Sequence, residues 1–163
     1  MIEAELARAV SLRESGALDE ARDLLLELSA AAPDDARVAY QTAWVHDALG
    51  LEREAVPFYV QALDGDGLTA VERRGATLGL GSTYRTLGQY AEAVNVLSAG
   101  ALEYPADRAL AVFLAMARYN LGDAKQAIAG LLDLLVDTSS DPEIQRYQRA
   151  IRLYAEDLDR IWS

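Results

Sequence analysis

The sequence predicts an all-α fold built from repeated helical hairpins, and three observations carry that prediction. Gly16, Gly50, Gly88 and Gly122 recur at intervals of 34, 38 and 34 residues. An alanine stands five residues after each of them: Ala21, Ala55, Ala93 and Ala127. Between the glycines, apolar residues fall at spacings of three and four, the period of a helix face. A small residue locked to a turn glycine, at a period in the range of roughly 20–50 residues, marks stacked supersecondary units.

The elements follow in order. Leu6, Ala7, Ala9, Val10 and Leu12 stripe a first helix over Glu3–Glu14, which Gly16 breaks. A second runs from Leu18 to Ala31 and stops at Pro33, because a proline pushes the residue before it out of helical geometry. Asp34 and Asp35 then place negative charge at a helix start, where the helix dipole favours it. Ala36–Leu49, a turn at Gly50 and Glu52–Leu63 make the second hairpin. Asp64-Gly65-Asp66-Gly67 is an irregular loop that supplies the four extra residues of the middle interval.

Thr69 and Glu72 have capping-box spacing, each side chain able to take a backbone N–H of the other residue, so the next helix starts there and reaches Leu87. Tyr90–Glu103 completes the third hairpin, which Pro105 ends; Asp107–Leu121 and Ala124–Val136 form the fourth. Ser140-Asp141-Pro142-Glu143 has the same capping-box form and opens a final helix over Pro142–Ile161. Its stripe of Ile144, Tyr147, Ile151, Tyr154 and Leu158 suits a helix that covers the last apolar face of a stack. The expectation is nine helices and no strand in one domain, 1–163. Its repeats lie at about 2–35, 36–68, 69–107 and 108–140, and its capping helix at about 141–161.

Composition bounds the function. Hydrophobic residues are 52% and charged residues 25% of 163, enough for a folded core and incompatible with wholesale disorder. With no cysteine there is neither a disulfide framework nor a thiolate zinc site, which fits a reducing, cytoplasmic setting. Glu3 and Glu5 stand where a leader peptide carries basic residues, and no run of 18 apolar residues occurs, so no membrane association is expected. A net charge of −11 repels a phosphate backbone, so nucleic acid is not an expected partner.

Catalytic and metal signals are weak. His46 is the only histidine, and its phase points it between helices, where packing explains it better than catalysis. Gly79-Leu80-Gly81-Ser82-Thr83 has some likeness to a phosphate loop but lacks the lysine, and it sits inside a helical segment. The loop at Asp64 starts like a calcium loop, yet its twelfth position is Gly75 where a bidentate glutamate is needed. No catalytic residue, metal or cofactor is expected.

The repeat resembles the tetratricopeptide repeat family. The third unit carries the resemblance best, with Leu80-Gly81, Tyr84, Gly88, Tyr90, Ala93 and Pro105 at the family's offsets. The first keeps Gly16, Ala21, Leu25 and Pro33; the second Gly50, Ala55, Tyr59 and Ala62; the fourth Leu114-Ala115, Gly122, Ala127 and Leu131. The leading tryptophan of the family is replaced by Glu5, Ala39, Thr77 and Ala111, and the fourth unit has Ser139 in place of the proline. Ala9, Ala43, Gly81 and Ala115 share one phase on the first helices, where small side chains permit close helix approach. Leu25, Tyr59, Leu97 and Leu131 are expected to fill the space between successive hairpins. A bulky residue at Ala93 or Ala127 should overpack that contact at a cost of about 1–3 kcal/mol.

The resemblance implies a right-handed superhelical stack of four hairpins and a capping helix, with the first helix of each hairpin lining a concave groove. Carried over by offset from the turn glycines, the groove takes Glu3, Leu6, Val10, Arg13 and Glu14, then Arg37, Tyr40, Trp44, Asp47 and Ala48. Gly75, Leu78, Ser82, Arg85 and Thr86 follow, then Ala109, Val112, Met116, Tyr119 and Asn120. Arg13, Arg37, Tyr40, Trp44, Asp47, Ser82, Arg85, Met116, Tyr119 and Asn120 are the expected protein-binding positions, since aromatics and arginine dominate such surfaces. Arg13, Arg37 and Arg85 would suit an acidic peptide segment. The resulting expectation is a non-enzymatic module that holds a peptide or helix of a partner protein. The alternative is a self-assembling scaffold, paired through an end hairpin or the capping helix.

Overall fold

The four repeat glycines are where the chain turns, each with a positive φ (87°, 72°, 78° and 95°) that a residue with a Cβ rarely adopts. The computed structural model describes residues 1–161, so Trp162 and Ser163, the last positions of the expected domain, lie outside the described residues. All regular structure among them is helical: α1 (Ile2–Glu14), α2 (Leu18–Ala31), α3 (Ala36–Ala48), α4 (Glu52–Asp64), α5 (Ala70–Thr86), α6 (Tyr90–Glu103), α7 (Arg108–Leu121), α8 (Ala124–Thr138), α9 (Pro142–Arg146) and α10 (Gln148–Glu156). They fall into two compact units, residues 1–88 with α1–α5 and the described residues from Gln89 onward with α6–α10.

In the first unit each helix packs on the next, and α3 also lies beside α1 and α5. Ala9, Ala43, Ala21 and Ala55 are fully buried, the close approach that their shared phases predict. Leu6, Leu25, Leu28, Val38 and Val45 fill the space around them. Polar bonds hold the helices in register. Ser29 and Thr42 hydroxyls meet at 3.1 Å between α2 and α3, and Arg73 of α5 donates to the Leu63 and Gly65 carbonyls at the end of α4. The capping box at Thr69 and Glu72 forms as its spacing predicts. Asp35 caps α3: burial alone would raise its pKa, but hydrogen bonds from the Arg37 side chain and from the Arg37 and Val38 N–H groups hold it below the ordinary carboxylate range.

In the second unit α6 packs on α7, α7 on α8, and α8 on α10. Ala93, Leu97, Leu110, Leu114, Ala115 and Ala127 are buried. Three sequence expectations need correction here. The single capping helix is two segments, broken at Tyr147, and it ends at Glu156 rather than Ile161. Gln145 explains the break: its amide donates to the Val136 and Ser139 carbonyls at 2.9 and 2.8 Å, pinning α9 to the end of α8 while α10 turns to pack on α8. The cap of that segment is Asp141, not Ser140, with the Asp141 carboxylate accepting from the Glu143 and Ile144 N–H groups.

The third correction is Leu131, which is 43% exposed, whereas Leu25, Tyr59 and Leu97 at the same phase are buried. The α10 helix packs on α8, with Ala155 its one buried residue and Tyr147 and Tyr154 left half exposed, and a helix so short does not cover the whole α8 face.

Candidate binding surface

In the first unit, α1, α3 and α5 carry the sequence-derived groove positions Arg13, Arg37, Tyr40, Trp44, Asp47, Ser82 and Arg85. The phase of α3 turns Trp44 outward, and its indole is 40% exposed. Arg13 of α1 lies across it, with the guanidinium carbon 3.6 Å from the ring centroid, a cation–π contact. Tyr40, one turn earlier, lies 5.6 Å from Trp44 and 6.5 Å from Tyr59, centroid to centroid. Unlike Trp44 it is buried, and burial pushes its hydroxyl pKa up.

Two glycines of α5 make room for these rings. A Cβ at Gly75 would overlap the Tyr40 hydroxyl, and one at Gly79 would stand 2.5 Å from the Tyr59 ring. The glycine-rich stretch around Gly79 is therefore explained by packing.

Asp47 joins three helices. Its carboxylate accepts from the Tyr59 hydroxyl of α4 at 2.8 Å and the Thr83 hydroxyl of α5 at 2.7 Å. Burial raises its pKa, an effect these two donors partly offset. The Tyr59 hydroxyl is raised as well, by burial and by the Asp47 charge. Arg37 is held between Glu3 at 2.9 Å and Asp35 at 3.1 Å, and these bonds raise its pKa. Two of the three arginines offered for an acidic peptide are thus engaged, Arg37 by two carboxylates and Arg13 by an indole. Ser82 and Arg85 are half-buried on α5.

The same face holds a recess of about 250 Å³ lined by Glu3, Leu6, Ala7, Val10, Arg37, Gln41 and Glu72. Four of these are sequence-derived groove positions; Ala7, Gln41 and Glu72 are not. A signal for Gln41 existed. It stands nine residues before its turn glycine, where the other repeats have Ala7, Gly79 and Phe113, so it is the one polar residue at that phase.

In the second unit, Met116, Tyr119 and Asn120 lie on α7; Tyr119 is exposed, the other two half-buried. A recess of about 420 Å³ between the start of α7 and α8 includes Asp133 and Asp137, both bonded by Arg152 of α10. Ile128, Leu131 and Leu135 form an exposed apolar stripe along α8.

His46 is packed, as its phase predicts: its Nδ1 donates to the Thr42 carbonyl at 2.7 Å and its ring stacks on Phe58. Among the described residues no group of three or more acidic or histidine side chains could hold a metal ion, and no helix is long and apolar enough to cross a membrane.

The family model described as Tetratrico peptide repeat matches residues 36–158. Among solved structures, MamA (41 to the end) from Desulfovibrio magneticus RS-1 is 18% identical, with 96% of this chain and 86% of that one covered at a TM-score of 0.71. MamA of AMB-1 is 18% identical over 90% of this chain and 78% of its own, at 0.73. The nearly identical TPR-like repeats of a kinesin light chain type protein from Podospora anserina are 21% identical over 96% and 90%, at 0.70. At these identities the likeness is one of fold. No curated protein matches the chain in sequence.

Proposed function

We propose that this chain, which belongs to the tetratrico peptide repeat family, is a protein-binding module whose contact face is formed by α1, α3 and α5. Proteins of this repeat family are interaction and scaffold modules, which sets the class of function. The observation that carries the reading is the Arg13–Trp44–Tyr40 stack. An exposed indole has a guanidinium over its ring and a buried tyrosine beside it, and the Asp47 bonds tie its helix, α3, to α4 and α5. A large amphipathic ring already fixed in place loses little conformational freedom when a partner covers it.

Affinity capture from the native cell tests this, using the wild-type chain and Trp44→Ala. Tyr40 is unsuitable for replacement because it is buried. The partner should be lost with Trp44→Ala while helicity and Tm are kept. Capture that survives the substitution would count against the face.

A second reading, self-assembly through the end of the second unit, is favoured by the exposed stripe of Ile128, Leu131 and Leu135. Light scattering over a range of concentration tests it. Concentration-dependent growth that Leu131→Lys abolishes would support it, and a monomer throughout would remove it.

A further inference from the structure

The geometry points to the recess beside Gln41 as a lysine pocket: we propose that it receives a lysine side chain of the partner polypeptide. The inference rests on the binding-face reading above and names the chemistry of one contact within it.

The recess combines apolar side chains with several acceptors. Leu6, Ala7 and Val10 of α1 give a wall suited to an alkyl stem. The Glu3 carboxylate of the same helix, the Gln41 carboxamide of α3 and the Glu72 carboxylate of α5 line it as well. Gln41 is only 8% exposed, and its Oε1 is buried without a hydrogen-bond partner. A buried acceptor left unpaired costs free energy, so a site that keeps one is suited to a donor from outside.

The charge balance selects a cation. Arg37, the one cation lining the recess, is bonded by both Glu3 and Asp35, and Glu72 adds a third carboxylate. Two lining carboxylates, with Asp35 also bonded to the one guanidinium, leave the recess negative, on a chain whose net charge is −11. A primary ammonium carries three donors and no acceptor, which suits an unpaired acceptor such as Gln41 Oε1 beside carboxylates. A ligand carboxylate would meet the Glu3 and Glu72 charges, with the Arg37 guanidinium already bonded to Glu3 and Asp35.

The probe is Nα-acetyl-lysine N-methylamide, titrated into the 163-residue chain and followed by NMR at the Gln41 side-chain amide and the Leu6 and Val10 methyl groups. Saturable shifts at these three positions are expected, with none from the neutral Nε-acetylated analogue. Gln41→Leu removes the unpaired acceptor at similar volume. It should weaken the probe roughly tenfold while leaving Tm unchanged or raised. Glu72→Gln, which can still form the capping box, should weaken it by a similar factor.

Equal shifts from the neutral analogue, or a Gln41→Leu protein with lower Tm and unaltered probe binding, would overturn the proposal. Tighter binding of the free diamine cadaverine than of the blocked lysine would overturn the polypeptide source. Trp44 lies outside the recess and separates the two claims. Partner capture that needs Trp44 while the lysine probe fails removes the pocket alone. Lysine binding with capture indifferent to Trp44 removes the face reading instead.

Discussion

Leu25 in the first unit and Leu131 in the second stand at the same phase, nine residues after their turn glycines, yet one is fully buried and the other 43% exposed. The polar bonds differ in the same sense. The first unit is tied internally by Asp47 to Tyr59 and Thr83 and by Ser29 to Thr42. The second joins its last helix to α8 through exposed pairs of Arg152 with Asp133 and Asp137, and Lys125 pairs with Asp159 beyond α10. A repeat position therefore carries an energetic role only when a following helix arrives to cover it. The first unit can hold a side chain such as Trp44 in a fixed pose because its neighbours are bonded to one another.

The largest expected effect breaks the comparison at its root. Leu25→Ala should cost about 2–5 kcal/mol in denaturant unfolding, through lost burial and the cavity left behind. Leu131→Ala should cost less than about 1 kcal/mol, since much of its surface already faces water. Equal losses at the two positions would remove the distinction.

Gly79→Val should destabilise by roughly 1–3 kcal/mol, because the new side chain meets the Tyr59 ring that Asp47 holds in place. Pairing it with Tyr59→Leu should recover part of the loss, which a double-mutant cycle would read.

A smaller effect carries a sign in pH. The Asp35 pKa is lower in the fold than its ordinary 3.8, so its stabilisation is present above that value and fades as pH falls through the folded pKa. Asp35→Ala should cost about 1 kcal/mol at neutral pH, and the gap to wild type should narrow below about pH 4. Asp47 has the opposite sign. Its raised pKa favours the protonated form in the fold, so stability from this group falls as pH rises from 3.8 through the folded pKa. Thermal unfolding of wild type and Asp35→Ala across pH 2.5–7 separates the two (about that range suffices for both).

The smallest effect belongs to the second unit. Arg152→Ala should change stability by less than about 1 kcal/mol despite its two ion pairs, because both are solvent-exposed.

What could be read from the chain is what depends on near neighbours in sequence. The turn glycines, the alanines packed behind them and the Thr69 cap are each set within a few residues, and each is found where the period puts it. Asp47 shows the limit. Its position marks a groove residue, but its bonds depend on Tyr59 and Thr83 arriving from two other helices. The same holds for the break at Tyr147, which follows from Gln145 reaching α8, and for the exposure of Leu131. Gln41 was legible only by comparing one phase across the repeats, since its chemistry lies in being polar where the others are not.

Hydrogen–deuterium exchange of the chain alone and with its captured partner tests the binding face most directly. The account predicts slowed exchange in α1, α3 and α5, and loss of that protection in Trp44→Ala. Protection confined to α8 and α10, with α1, α3 and α5 unchanged, would contradict it.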